Sequence, residues 1–448
     1  MTTVSGVAPP IEGRRRRSLP QRRTELGLLA LAALVTVFAY VLASLGQQAR
    51  IPAHLGPFLG VILGLGLVAH IANRRLAPYA NPIVLPIAVL LNGLGYVFVA
   101  RLNHQQAQFQ AEWSIVGVFA YVVTLWLVRQ SRDLDRYRYL LLFVGLGLLL
   151  TPLVPHFGEN IGGERLWVHF GPLSFQPVEL AKLALVVFFA SYFTEKRELL
   201  TLPTLRVGNR LLPDPRTLGP ILLAWGFSLL IMTAERDVGF SLLVFVVFVL
   251  MLWMTTGRVA YLLVGAVLFA IGAFIGAHLF SQVGERVSVW LNPWNQATTN
   301  GYQLVQGEYA LGSGGLAGVG LGLGHPGLIP VVTSDFIFAA IGEELGLLGT
   351  TAVVVAFVVL VGAGLRIALA ARSEFTKLLA AGFTLTIGLQ AFFIMAGIVR
   401  ILPLTGVTLP FVAYGGSSLL ANYILVALLV RCSNEGGDAL PASPRSPP

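Results

Sequence analysis

Residues 239–280 read GFSLLVFVVFVLMLWMTTGRVAYLLVGAVLFAIGAFIGAHLF, and Arg258 is the one Lys, Arg, Asp or Glu among them. On either side of the Gly257-Arg258 turn lies an apolar run as long as a bilayer span, which needs roughly 20 such residues. Hydrocarbon offers no partner to backbone N–H and C=O groups, so runs of this length must close their own hydrogen bonds as helices; they are too long and unbroken for barrel strands. Working outward from this pair, the same pattern recurs near 24–46, 55–73, 82–100, 113–128, 139–155, 178–194, 218–234, 336–363, 377–396 and 410–430. With 239–256 and 259–280 these make twelve expected spans in an all-α, polytopic membrane protein. Composition agrees: the 448 residues are 56% hydrophobic and 11% charged, against roughly 25% charged in an ordinary soluble domain.

The formal charge of +9 is distributed by side of the membrane. With a cytoplasmic N-terminus and twelve spans, 23 of the 30 Lys and Arg fall inside, six fall outside (Arg50, Arg101, Arg165, Arg236, Arg286, Arg400) and Lys182 lies within a helix. That asymmetry is the positive-inside signature, with both termini cytoplasmic. The run Arg14–Arg17 then reads as a topogenic and headgroup anchor rather than a nucleic-acid arm. The first apolar run is long enough to span, so no cleavable signal peptide is expected. Cys432 is the single cysteine, which excludes an intramolecular disulfide and a Cys-based metal cluster. Residues 1–23 and 432–448, rich in Pro, Arg, Ser and Gly, are expected to be disordered cytoplasmic tails.

Three longer segments share the outside face: 156–177, 281–335 and 397–409. Structureless loops as long as 281–335 are uncommon and usually functional, and its apolar stretches point to a large extracytoplasmic loop that is partly re-entrant or interfacial. The outer face is therefore the expected place of a site.

Charged residues in or beside spans are functional candidates by default. Glu179 and Lys182, in QPVELAKL, are three apart and share a helical face; they form either a structural ion pair or the wall of a polar cavity, where a compact Lys cation could meet a pyrophosphate. Asp335, in PVVTSDFIFAAIGEELGLLG, stands where a polar loop becomes an apolar helix. It could cap that helix, but Thr333 and Ser334 could do the same, and partial desolvation at the membrane surface would suit it as a general base. Glu343 and Glu344 lie deeper, where a cation or a backbone group is expected to meet them. Asp237, in ERDVGF, is either a solvated turn or an acidic rim. Arg165 and Arg286 could grip a diphosphate bidentately or meet lipid headgroups.

The run GSGGLAGVGLGLG at 312–324 mimics a dinucleotide fingerprint but lacks the strand–turn–helix context that would make it one. Its glycines instead allow close backbone approach, and Ser313 within it joins the substrate-binding candidates. Gly415-Gly416-Ser417-Ser418 reads as small-residue helix packing. The seven histidines show no metal-binding spacing.

Taken in order, QPVELAK (Gln176–Lys182), ERDVG (Glu235–Gly239), the glycine run, TSDFIFAAIGEELG (Thr333–Gly346) and PLTGVTLPFVAYGGSS (Pro403–Ser418) resemble the SEDS family (RodA/FtsW/SpoVE) of peptidoglycan polymerases, over about residues 80–431. The resemblance implies a ten-helix core, here 81–431, preceded by two extra helices at 24–80. It implies a multi-pass protein of the bacterial cytoplasmic membrane that polymerises lipid II, the undecaprenyl-diphosphate-linked disaccharide-pentapeptide, at the outer face. Asp335 would be the base that deprotonates the acceptor sugar hydroxyl, with undecaprenyl diphosphate as leaving group, and Glu179 and Lys182 would line the central cavity. The family partner is a class B penicillin-binding protein, and a divalent cation, Mg or Mn, could assist the diphosphate clamp. The chain departs from the family in having QPVE for QPSE, Arg236 for the proline of QPDLG, and no asparagine after Gln390-Ala391-Phe392. The lack of a long C-terminal extension favours an elongation (RodA-like) over a division (FtsW-like) member. A lipid II flippase and a cell-wall scaffold are the competing functions.

Overall fold

The computed structural model describes residues 20–48, 55–154, 158–161, 164–170, 173–201, 205–207, 210–212, 219, 222–223, 226–227, 230, 238–279 and 281–437. Among them, helices stand at eleven of the twelve expected spans: α1 Pro20–Gln48, α2 Leu55–Leu76, α3 Val84–Leu102, α4 His104–Leu127, α6 Arg138–Leu150, α7 Val178–Thr201, α8 Val238–Thr256, α9 Val259–Leu279, α12 Ile337–Leu369, α13 Glu374–Ile398 and α14 Gly416–Gly437. A short helix, α5 (Arg132–Arg136), lies between α4 and α6. Eight of these helices are long and apolar enough to cross a membrane. The expected span at 218–234 falls largely outside the described residues.

Small residues decide how the helices approach. Along α1, Ala32, Thr36, Ala39, Ala43 and Gly46 recur at spacings of four and three, which places them on one stripe; the four with side chains are buried, while Leu31, Leu34, Phe38, Leu42 and Leu45 on the other faces are exposed. The stripe packs on α3, where a Cβ at Gly93 would lie 2.3 Å from Thr36 Oγ1. In lipid, where apolar side chains gain nothing by leaving their solvent, such close small-residue packing is what holds helices together.

Contacts at the two ends group the loops in the way the charge reading groups them. At one end the inside segments meet: the Tyr79 N–H donates to Asn434 Oδ1 (2.9 Å), the Asn81 N–H to Ser433 Oγ (2.8 Å), and the Ser131 hydroxyl to Glu435 Oε2 (2.6 Å). At the other, Gln47 donates to the Arg101 carbonyl (2.9 Å), Arg101 to the Gly324 carbonyl (2.6 Å) and Trp290 Nε1 to the Arg400 carbonyl (3.1 Å). Those first contacts also correct a boundary. The last helix continues past residue 431 to Gly437, because its polar final turn caps the 79–81 and 131 loops instead of fraying.

The segment expected as the long loop 281–335 is folded. It carries α10 (Ser281–Leu291), a 3-10 turn at Pro293–Gln296, α11 (Tyr302–Gly314) and a second 3-10 turn at Pro326–Leu328. The outer segment 156–177 holds a three-stranded antiparallel sheet, β1 (Gly158–Ile161), β2 (Glu164–Phe170) and β3 (Leu173–Phe175), and a hairpin of β4 (Leu205–Val207) and β5 (Arg210–Leu212) lies on the inside. Helix α12 is broken at Gly346, where φ is 66° and ψ is −161°, a conformation that only glycine adopts without strain.

Candidate active site

Asp335 is the last residue of a tight turn. Its N–H donates to the Val331 carbonyl at 3.1 Å, and Val331 is held at φ 52°. A β-branched residue in that region costs of order 1–3 kcal/mol, and strain of this kind clusters at functional sites. The turn is tied to the last outer loop by the Tyr414 N–H, which donates to the Thr333 carbonyl at 2.9 Å. The helix cap proper is Phe336, whose side chain makes no capping bond, so Asp335 sits one residue ahead of the capping position. It is half-buried.

Beside it opens a cleft of about 310 Å³, within the range of roughly 300–1,000 Å³ usual for ligand pockets. Gln282, Glu285, Arg286, Val289 and Trp290 of α10 form one wall; their spacing of three and one puts all five on a single helical face. Asn300 comes from the turn before α11 and Gln303 from its first turn, and Ile394, Leu404 and Gly406 close the floor. Arg286 Nη1 donates to the Thr405 carbonyl at 3.3 Å, which lays the guanidinium against the floor loop at Gly406, whose added Cβ would lie 3.6 Å from Nη2. One cation, two carboxylates and four amide-bearing or indole side chains therefore face one outer volume.

Glu179 and Lys182 are buried together beneath this floor, 8% and 2% exposed. Lys182 Nζ donates to Glu179 Oε2 (2.5 Å) and to Gln390 Oε1 (2.7 Å). Gln390 in turn donates to the Thr408 carbonyl at 2.9 Å. The loop 403–408 that carries Thr405 and Gly406 is thus fastened from below by the α7 ion pair through α13. Both sequence readings of the pair remain compatible with this arrangement, in which Lys182 does not line the Asp335 cleft.

A second knot lies farther along α12. At Gly346 the helix interrupts its own ladder, and the glycine-rich segment completes it: the Val319 and Gly320 N–H groups donate to the Glu343 and Glu344 carbonyls (both 3.0 Å), while the Leu347 and Leu348 N–H groups donate to the carbonyls of Gly315 (2.9 Å) and Leu316 (3.1 Å). Irregular backbone at membrane depth is tolerated only where protein satisfies it in this way. The side chains join in: Glu343 Oε1 accepts from the His325 N–H (2.7 Å) and Glu344 Oε2 from the Gly322 N–H (3.0 Å). Arg101 Nε lies 2.5 Å from Glu344 Oε1, an ion pair by proximity that is not aligned as a hydrogen bond.

Of the sequence candidates, the structure brings Asp335 and Arg286 into one cleft. It places Glu179 and Lys182 below that cleft. Ser313, on the last turn of α11, donates to the Ala310 carbonyl at 2.9 Å and does not line it. Arg165 belongs to β2, but its side chain lies outside the described residues, as does Asp237. The spacing of α10 carries its helical face, but the expectation of a long loop at 281–335 hides it, and Glu285 and Gln282 are the site residues that sequence reasoning missed. A cation or backbone group at Glu343 and Glu344 was expected and is found; that the cation is Arg101, and that Gln390 meets Lys182, was missed because nothing local signals either partner. Among the outer cations, Arg400 is committed to Glu308 (2.9 Å).

The FtsW/RodA/SpoVE family, described as cell cycle proteins, matches residues 83–436. A peptidoglycan glycosyltransferase RodA of Mycobacterium bovis is 39% identical over 98% of this chain and 95% of its own length. That of Mycobacterium leprae is 38% identical over 99% and 95%. A probable peptidoglycan glycosyltransferase FtsW of a Geobacter species is 31% identical over 81% of this chain and 98% of its own. Among solved structures, a chain of a peptidoglycan synthase complex that coordinates polymerization and crosslinking superposes with a TM-score of 0.64 at 25% identity, covering 78% of this chain and 96% of that one. Thermus thermophilus RodA gives 0.56 at 24% identity over 79% and 96%, a likeness of fold.

Proposed function

The chain belongs to the FtsW/RodA/SpoVE family, and from that premise we propose that it is a peptidoglycan glycosyltransferase of the cytoplasmic membrane that polymerises lipid II at the cleft beside Asp335. The observation that carries the site assignment is the meeting of Asp335 and Arg286, distant in sequence, in one outer-facing volume.

The chemistry asks for three things. A base must take the proton of the acceptor sugar hydroxyl, a cation must meet the diphosphate that leaves with the electron pair of the broken C1–O bond, and the lipid must stay in the membrane. Asp335 supplies the first: its carboxylate accepts the proton as the acceptor oxygen bonds to C1. Arg286 supplies the second through charge-assisted hydrogen bonds. The spans supply the third. Among the described residues no three His, Cys, Asp or Glu side chains converge on a metal site. Mg²⁺ commonly binds through one or two carboxylates plus substrate phosphates, a donor set that Asp335 and Glu285 would match; such an ion would neutralise diphosphate charge.

The expected partner is a class B penicillin-binding protein, in keeping with the likeness to a chain of a synthase complex. The near full-length match to mycobacterial RodA, against about four-fifths for FtsW relatives, supports the elongation type. The division into two extra helices at 24–80 and a core at 81–431 is part of the same reading. The test is polymerisation of lipid II by the full chain with its partner, wild type against Asp335→Asn at matched thermal stability. Glycan from the wild type alone supports the assignment. Equal polymerisation moves the base elsewhere, and none from either returns the flippase and scaffold readings.

A further inference from the structure

Helix α1 lies outside the family-matched residues 83–436, yet its outer end meets the glycine-rich segment inside them. A Cβ on Gly46 would stand 2.1 Å from the Leu321 carbonyl oxygen, and one on Gly322 would stand 2.4 Å from the Ala43 carbonyl oxygen. Two backbones therefore touch where each chain has a glycine, and Gly322 is also held at φ +81°. Next to this contact Gln47 donates to the Arg101 carbonyl, and Arg101 holds both the Gly324 carbonyl and Glu344.

What the glycine-rich segment does is already visible. Its Val319, Gly320, Gly322 and His325 N–H groups hold Glu343 and Glu344. These sit at the far end of the first piece of α12, Ile337–Leu345, a rod of about 13 Å at about 1.5 Å per residue. Asp335 hangs from the near end of that rod. The inner end of α1 is itself pinned, because Glu25 meets His70 Nδ1 at 2.8 Å and Asn73 Nδ2 at 3.3 Å, and the Tyr121 hydroxyl of α4 donates to Asn73 Oδ1. A helix fixed at one end and pressed on the loop at the other is a strut.

We infer that α1 is a positioning element for the site: Gly46 and Gln47 hold the segment 318–325 in the register that locks the first piece of α12, and so set where Asp335 stands. This rests on the polymerase reading for its kinetic consequence but not for its structural one.

The experiment compares Gly46→Leu, Gly46→Ala and Gln47→Ala with Gly27→Leu, a control on the same helix at a glycine whose added Cβ meets nothing within 4 Å. Each full-length variant, with its penicillin-binding partner, is assayed for kcat and KM with lipid II and for hydrogen exchange at Val319, Gly320, Gly322 and His325. Gly46→Leu should lower kcat about tenfold to a hundredfold, the scale on which a displacement of about 1 Å far from the chemistry acts. KM should stay near that of the wild type and the four amides should exchange faster, with Gly46→Ala intermediate and Gly27→Leu unchanged. Wild-type kcat in Gly46→Leu, or lost activity with unaltered exchange at the four amides, overturns the inference. Should Gly46→Leu fail to fold, Gly46→Ala and Gln47→Ala decide by the same two readouts. If the wild type makes no glycan, the polymerase reading falls while the exchange data still judge the strut: faster exchange in Gly46→Leu but not Gly27→Leu supports it, and equal exchange sinks it.

Discussion

Asp335, just ahead of α12, and Glu344, within the first piece of that helix, are two neighbouring carboxylates, and the chain treats them in opposite ways. Glu344 is fully buried, with a guanidinium 2.5 Å away and a backbone N–H at 3.0 Å. Asp335 is half-buried and borders a cleft of about 310 Å³ in which a cation and polar side chains face it. The difference separates charge shut inside the protein from charge that borders an open volume. A buried carboxylate with close partners on several sides has no direction from which substrate can reach it. One next to a volume large enough for a ligand, with a cation across it, is placed to handle a proton.

If the contrast holds, the two positions should respond through different observables. The largest effect is expected at the cleft: Asp335→Asn should lower glycan synthesis by about 10²–10⁴-fold, the usual contribution of a general base, while its melting temperature stays that of the wild type. The Glu344→Ala variant should do the reverse. It strands the partly buried Arg101 charge at a cost of about 3 kcal/mol, the lower end for breaking a buried pair, and replacing both partners with apolar residues should recover much of that loss. Thermal melts in detergent of the single and the Arg101→Met/Glu344→Met variants would check this, and an inactive Glu344→Ala with wild-type stability would erase the contrast.

Lys182→Met tests whether the buried pair below the cleft belongs to the architectural class. It leaves Glu179 uncompensated and should cost roughly 3 kcal/mol, the lower end for breaking a buried pair, again read by melting. At the cleft wall, Arg286→Ala should raise the KM for lipid II about tenfold, as expected for losing a charge-assisted bond of about 1.5–3 kcal/mol, with little change in melting. The smallest effect sharpens the boundary of the site. Ser313→Ala, away from the cleft, should change stability by no more than about 0.5 kcal/mol and leave polymerisation at the wild-type rate.

Much of this molecule was legible in advance where the governing rule is local. The ion pair at Glu179 and Lys182 follows from a spacing of three. The start of α12 and the position of Asp335 follow from the change from polar to apolar residues at 335–337. The face of α10 could also have been read from its period, but a helix of eleven residues inside a loop of mixed polarity is easily passed over. By contrast, Gln390 looks like any amide in an apolar helix until α7 is packed against α13. The break at Gly346 looks like an ordinary helical glycine until the segment 315–320 supplies its hydrogen bonds.

From its residues alone this chain declared its membrane class, the run of its described helices and the order of its motifs. Lipid imposes the spans on each segment separately: a span must be apolar over about 20 residues. Which charges are buried and which border a cleft was settled only in three dimensions. Arg101 finds Gly324, 223 residues on, and Gln47 finds Arg101, 54 residues on. No local pattern encodes such pairings, because burial penalises every unpaired charge and any partner that packing brings within reach can relieve it.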